Sequence, residues 1–550
     1  MVLWHLFNKS GQCSRQPKAC EVMAFDEGLQ IGSAYRPRAR RQHDGRRFLL
    51  NLGLRLPIKR PRPFGQQKAE NTMSQYENLS LFIDGKMTAG ESGASSDVLN
   101  PSTNAVLAKL PHAKKPELDR AIKAAEKGFN TWKKVNSFER AKILRKAADL
   151  MRARADEIAR VLTLEQGKPL MEAKVEILAG ADITDWFADE GRRAYGRIIP
   201  ARADGVRNMV IMEPVGVVAG FSPWNFPVTQ AVRKIAAALA AGCSIIVKCP
   251  EETPGSPIGL IKCFHDAGVP DGVLNLVYGV PAEISEYLIP SPVIRKVSFT
   301  GSVPVGKHLA SLAAQHMKRT TMELGGHAPV LVFNDVDVDS VAKMMVATKT
   351  RNAGQVCVSP TRFFLQDKIY DKFVAEFTSG MKATKVGDGM DPETRMGPLA
   401  NPRRVNAMQT LIQDAQEKGA KVQTGGKRIG NQGNYFEPTV LTDVPDSARI
   451  MNEEPFGPVA VMMRFKETDE ALERANKLPF GLASYAFTKD GKTATKVADA
   501  LESGMVTINH FGLALPETPF GGVKDSGYGH EGGAEGLTVY MQSKFISHLG

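Results

Sequence analysis

Cysteine is scarce in this chain: six in 550 residues, Cys13, Cys20, Cys243, Cys249, Cys263 and Cys357. No pair forms a CxxC and no cysteine–histidine set has zinc spacing, which argues against a disulfide scaffold or a structural zinc. The expected compartment is reducing, the cytoplasm, and no metal is expected. HExxH is absent too, which removes the commonest zinc-hydrolase helix. Long apolar runs are missing. The longest, IAAALAAGCSIIV at 235–247, is too short to cross a bilayer and reads as buried helix, glycine turn and strand. There is no internal repeat and no low-complexity tract. Hydrophobic content of 43% and charged content of 24% describe an ordinary globular protein.

Acidic residues are few only at the start. Residues 1–72 hold 14 lysines and arginines against five acids, so this stretch carries +9 of the formal +12. A nucleic-acid binder carries its basic stripe on the folded body, so no nucleic-acid partner is expected. The segment lacks the layout of a secretory signal, and its acids weaken a transit-peptide reading. It is expected to be a disordered basic extension, or upstream sequence ahead of a start at Met73. A chain beginning at Met73 is expected to fold and to be fully active.

From about residue 80 short apolar strands alternate with helical patterns. VGVVAGF, CSIIVKC, GVLNLVYG, KVSFTGS and RTTMELGG read as strands separated by helices, and a second alternating set runs from APVLVFNDV to GPVAVMMRF. This is the signature of doubly wound α/β domains, two of them, divided near Gly325–Gly326. Two glycine patterns imitate phosphate loops. GYGHEG (527–532) fits GxGxxG, but no strand leads into it and 18 residues cannot complete a βαβ unit. GSVPVGKH (301–308) fits GxxxxGK between strand and helix, yet His308 stands where a P-loop needs Ser or Thr. A P-loop NTPase is the reading from outside the main class. A glycine turn at a helix N-terminus suits a dinucleotide pyrophosphate equally well.

Cys357 sits in RNAGQVCVSP, among small and polar residues rather than in an apolar run. A thiolate nucleophile needs an oxyanion donor and a base. Asn225 in FSPWNFP and Glu323 in MELGGHAP are candidates, although each alone has an ordinary reading as a turn or strand-end residue. Those motifs, with VKCPEETP, FTGSVPVG, NAGQVC, EEPFGPV and PFGGVKDSG in this order and spacing, make the chain from Tyr76 to Gly550 resemble the aldehyde dehydrogenase superfamily.

The resemblance implies a Rossmann-like NAD(P)-binding domain at 73–195 and 215–324 and a catalytic domain at 325–525. It implies a small β oligomerisation element at 196–214 and 526–550, and a homo-oligomer, dimer or tetramer. Within it Cys357 is the nucleophile, Asn225 and the Cys357 backbone N–H form the oxyanion hole, and Glu323 is the base. Lys234 lies near the nicotinamide ribose and Lys248 with Glu251 meets the adenosine ribose. Gly301, Ser302 and Gly306 line the pyrophosphate turn, Trp224 lines the cofactor channel, and Glu454 with Phe456 holds the nicotinamide ribose.

Glu251 would repel a 2′-phosphate, so NAD is preferred with NADP possible. Within the superfamily the chain is most similar to succinate-semialdehyde and 2-oxoglutarate-semialdehyde dehydrogenases. Arg233 and Arg351 match the arginines that bind the distal carboxylate there. Ala514 and Leu515 depart from the carboxylate-binding serine usual in succinate-semialdehyde enzymes. The expectation is an ω-carboxylate semialdehyde of four or five carbons, succinate semialdehyde first. Glutarate or 2-oxoglutarate semialdehyde, or a broad aldehyde range, is the alternative. Glu323 argues against an acylating relative that uses coenzyme A, and the complete catalytic set against a crystallin-like structural role.

Overall fold

The computed structural model describes Tyr76 and residues 79–550. The expectations for residues 1–72, and Cys13 and Cys20, lie outside the described residues. The first sheet has the strand order Lys86–Thr88, Leu81–Ile83, Leu274–Val277, Ser244–Lys248, Val217–Phe221, Ile294–Gly301, Arg319–Leu324, Gly527–Tyr528. Its five central strands are parallel. The strands Val217–Phe221, Ser244–Lys248 and Leu274–Val277 are buried throughout. Helices cover both faces of such a sheet, so strand residues of either parity need to be apolar.

The chain enters at Val217–Phe221, winds outward to Leu274–Val277, then returns to Ile294–Gly301 on the other side of the starting strand. That reversal opens a crevice at the carboxyl ends of the two inner strands, where open α/β sheets bind ligands. The helix Pro227–Ala241 forms the first crossover. It starts with Pro at its first turn and ends at Gly242, whose φ of 96° terminates it in the left-handed region.

The second sheet orders Lys421–Thr424, Thr439–Thr442, Val459–Phe465, Arg362–Gln366, Pro329–Val332, Ala483–Phe487 and Met505–Ile508. Every pairing but the first is parallel. The first sheet's strand ends at Leu324 and the second's begins at Pro329. The intervening glycines therefore carry the chain from the carboxyl edge of one sheet to the amino edge of the other. The expected doubly wound α/β class is the observed one.

A third, antiparallel sheet joins Met541–Leu549, Val206–Pro214 and Arg197–Ile199. Tyr195, Ile198, Phe545 and Leu549 are all exposed on or beside it. The segment 526–550, grouped with this element on sequence, divides in the structure. Gly527–Tyr528 pairs antiparallel with the strand that carries Glu323, the helix Gly533–Thr538 packs on Pro227–Ala241, and only Met541–Leu549 enters the small sheet. The physical reason is in the glycines of GYGHEG. A Cβ at Gly527 would lie 1.8 Å from the Met322 carbonyl oxygen, so glycine is what lets this segment approach the strand. Among the described residues no helix is long and apolar enough to cross a membrane, and no three His, Cys, Asp or Glu side chains group to hold a metal.

Candidate active site

The turn before Cys357 is strained. After the helix Val338–Thr350, Asn352, Ala353 and Gly354 take φ values of 47°, 52° and 70° in succession. Two of these are not glycine, and L-residues reach that region at a cost tolerated mainly at functional sites. The surroundings hold the turn. The Asn352 N–H donates to Glu172 at 2.9 Å, and a Cβ at Gly354 would lie 2.1 Å from the Gly457 carbonyl oxygen. Cys357, which follows the turn, is half-buried, whereas Cys243, Cys249 and Cys263 are buried. Burial, then the carboxyls of Glu454 and Glu323, push its thiol up to about 12, with backbone amides opposing. The resting sulfur is therefore a protonated thiol.

Asn225 lies just past the carboxyl end of Val217–Phe221. Its side-chain amide donates one hydrogen bond to the Gln355 carbonyl, two residues before the cysteine, at 3.0 Å. The amide's second N–H is available to a ligand oxygen. Glu323, 2% exposed, lies one residue before the end of its strand, with neither carboxyl oxygen hydrogen-bonded among the described residues. Burial, reinforced by Glu531, holds its carboxyl well above the usual range, while Lys234 and Arg233 pull it down. A buried carboxyl without partners is expensive, and that expense belongs at functional sites. Lys234 is ion-paired with Glu531 at 2.5 Å, and its ammonium also donates to Thr300.

The crevice suits a dinucleotide on this chain's own features. Ser302 caps the helix Val303–Gln315 without a side-chain hydrogen bond, which leaves the first-turn N–H groups free for a phosphate. A Cβ at Gly306 would lie 2.3 Å from Leu324, so the glycine lets that helix lie close against the sheet, beside the turn at Gly301. Lys248 and Glu251 form an ion pair at the carboxyl end of the neighbouring strand. Trp224 packs edge-on against Phe456 with ring centroids 5.5 Å apart. Phe456, at φ 44°, is held through Arg404, which donates to the Pro455 and Phe456 carbonyls. The carboxyl of Glu454 occupies the space beside Gly325 that a Cβ would fill, and burial pushes it up to about 8.

Arg233 is buried, donates to the Glu531 and Ala514 carbonyls, and lies 4.9 Å from the Phe520 ring centroid. Burial destabilises its charge, and the carboxyls of Glu531 and Glu323 and the Cys357 sulfur oppose that effect. Arg351 is exposed at the strained turn, 5.2 Å from the Phe226 ring centroid. Neither arginine forms an ion pair with a carboxylate among the described residues.

A sequence profile of the Aldehyde dehydrogenase family matches residues 87–546. The chain belongs to the aldehyde dehydrogenase family. It is 46% identical over 474 residues to a 4-(hydroxymethyl)benzenesulfonate dehydrogenase of Comamonas testosteroni, covering 86% of this chain and 99% of that one. It is 41% identical to the succinate-semialdehyde dehydrogenase [NADP(+)] of Escherichia coli, with 84% and 96% covered. The crystal structure of succinate-semialdehyde dehydrogenase from Burkholderia pseudomallei matches with a TM-score of 0.85 at 41% identity, covering 88% of this chain and all of that one.

This aldehyde dehydrogenase is an NAD(P)-dependent enzyme that takes an aldehyde and water to an acid. The P-loop reading falls with that, and Lys307 is engaged in an ion pair with Asp525 at 2.7 Å at the surface. Reasoning from sequence missed Glu531, which lies inside the GYGHEG decoy and closes on Lys234 and Ser298. It also missed Lys168, Glu172 and Glu176, clustered in EQGKPLMEAKVE. Acids four apart after a Gly-Lys-Pro turn were the available signal.

Proposed function

We propose that this aldehyde dehydrogenase oxidises an ω-carboxylate semialdehyde of four or five carbons, succinate semialdehyde first, to the dicarboxylic acid, with NAD preferred over NADP. The observation that carries the reading is the pair Arg233 and Arg351. Both are free of carboxylate partners among the described residues, both sit over phenylalanine rings, and they belong to the two segments that build the nucleophile and its amide. A guanidinium fork matches a carboxylate through two parallel hydrogen bonds. Glutarate semialdehyde fits the same clamp, and Ala514 with Leu515 suits the longer chain.

In the reaction the Cys357 thiol gives its proton to solvent, the resulting thiolate adds to the carbonyl carbon, and the oxyanion is met by the free N–H of Asn225 and by the Cys357 backbone N–H. Bound NAD(P) supplies the hydride acceptor, and the carbon left on sulfur is a thioester. Glu323 takes a proton from water, the hydroxide oxygen joins the acyl carbon, and the acid leaves as the thiol re-forms. Glu323 favours this hydrolytic ending over transfer to coenzyme A. Lys234, Lys248, Glu251, Trp224, Ser302, Glu454 and Phe456 hold the dinucleotide, and Glu251 makes NAD the better fit. Residues 73–195 with 215–324 are read as the nucleotide-binding domain and 325–525 as the catalytic domain. The exposed small sheet joins copies of the chain into a dimer or tetramer, and the cytoplasm is the compartment.

A second reading has its own support: the Comamonas relative carries benzenesulfonate in its name. A sulfonate also accepts a guanidinium fork, and Phe226 and Phe520 offer flat walls to an aromatic ring. Steady-state kinetics of Arg351→Ala and Arg233→Ala test both. Each variant raises KM about 10-fold or more for succinate semialdehyde and leaves butanal within about 2-fold, in line with loss of a charge-assisted contact. Equal damage to both substrates overturns the clamp. Higher kcat/KM for 4-formylbenzenesulfonate than for succinate semialdehyde selects the aromatic reading.

A further inference from the structure

Helix Ala155–Gln166 ends at Gly167, whose φ of 93° turns the chain sharply, and Pro169 precedes the next helix, Leu170–Glu190. Between them Lys168 is fully buried. Its ammonium lies 2.6 Å from Glu176, 2.7 Å from the backbone carbonyl of Asn225 and 3.8 Å from the centroid of the Phe226 ring. The other oxygen of Glu176 accepts from the backbone N–H groups of Val228 and Thr229, at 2.9 and 3.2 Å. Lys168 therefore grips the turn that presents Asn225 by its carbonyl, and Glu176 grips the same turn by the amides that start its helix. One helical turn earlier, Glu172 accepts from the Asn352 N–H in the strained turn before Cys357. The Asn352 side chain closes the loop by donating to the carbonyls of Asn225 and Gln355, at 3.0 and 3.2 Å.

Burying an ion pair contributes little net stability, because desolvation offsets most of the attraction. What the pair does supply is geometry. The three side chains come from nine consecutive residues, and they fix the oxyanion-side turn and the nucleophile-side turn relative to each other.

We propose that Lys168 is a positioning residue of the oxyanion hole, holding the Asn225 backbone so that its side-chain amide meets the oxyanion at Cys357. The inference rests on Asn225 being the oxyanion donor. Lys168 is fully buried and its ammonium meets the Asn225 backbone carbonyl, so it acts through Asn225.

The test is a double-mutant cycle on the pre-steady-state NADH burst with succinate semialdehyde, using Lys168→Met, Asn225→Ala and the pair. Asn225→Ala slows the burst by about 100-fold or more, the usual cost of losing one oxyanion donor. Lys168→Met slows it at least 10-fold in the wild-type background but less than 3-fold in the Asn225→Ala background. NADH affinity, read by fluorescence, stays within 2-fold. Groups that act as one unit lose their function once, so their effects do not add. Glu176→Gln keeps the shape and the amide contacts while removing the charge that holds the ammonium. It shows the same non-additivity with a smaller loss and decides the matter should Lys168→Met fail to fold. A Lys168→Met or Glu176→Gln loss of equal size in both backgrounds, or no loss, overturns the inference and leaves the role of Asn225 standing. An Asn225→Ala burst within a few-fold of wild type overturns both.

Discussion

Cys357 illustrates how little one residue says without its surroundings. Its small neighbours were legible in the sequence as room for access, and its half-buried thiol agrees. Local sequence did not show the carboxyls that crowd it, and only the full motif set brought Glu323 and Glu454 into the site, because they reach it from segments 34 and 97 positions away. The sign of their effect is definite. Negative neighbours and burial both disfavour thiolate, so with the thiol at about 12 the thiolate fraction rises about tenfold per pH unit across neutral pH. Carbamidomethylation of Cys357 in the cofactor-free enzyme by iodoacetamide therefore accelerates about tenfold per unit from pH 7 to 9. A rate that levels off below pH 8 contradicts the assigned surroundings.

Burial and then Glu531 raise the Glu323 carboxyl above its ordinary range, so its readiness as a base increases as pH rises. Glu323→Gln keeps a full NADH burst but slows the steady state at least 100-fold, and the pH dependence of deacylation flattens. A linear trace with no burst shows that the carboxyl acts before hydride transfer instead.

At the scale of elements, buried parallel strands announced themselves because both faces need apolar residues, as in CSIIVKC. Turns did not. The hairpin of Ser95–Leu99 and Val106–Pro111 went unread, since its strands alternate weakly and half of their residues face solvent. The left-handed run through Asn352 and Ala353 has no local signal beyond Asn and Gly. It is imposed by Glu172 and by the Gly457 backbone. GYGHEG was correctly refused as a dinucleotide loop, yet its glycines serve close backbone approach and its Glu531 pairs with Lys234. Gly354→Ala tests the turn. A Cβ there meets the Gly457 carbonyl at 2.1 Å, and the left-handed φ adds about 1–2 kcal/mol. The expected result is a fall in kcat of about 10-fold or more and a lower Tm, with NADH binding within about 2-fold. Unchanged kcat shows that the strain is incidental to the nucleophile.

On the scale of the whole molecule, the sequence order of the motifs was enough to place two α/β lobes with the crossing at Gly325–Gly326. Met541–Leu549 pairs with Val206–Pro214 as the resemblance implied, but the course of the segment before it was not legible, because Gly527–Tyr528 is a two-residue strand that pairs with a partner some 200 positions earlier. The small sheet leaves Ile198 and Phe545 exposed at 82% and 62%, and these are the side chains the proposed contact between copies would cover. Phe545→Asp is expected to shift the elution of the protein to a smaller species in size-exclusion chromatography with light scattering. An unchanged mass places the contact between copies elsewhere.

The central proposal is that the guanidinium groups of Arg233 and Arg351 select an aldehyde with an anion at its far end. Its most direct test is the ratio of kcat/KM for succinate semialdehyde to that for butanal, measured on the wild-type enzyme with saturating NAD. A charge-assisted clamp contributes roughly 1.5–3 kcal/mol, so the account predicts a ratio of at least about 10. A ratio of one or below, with butanal the equal or better substrate, contradicts it.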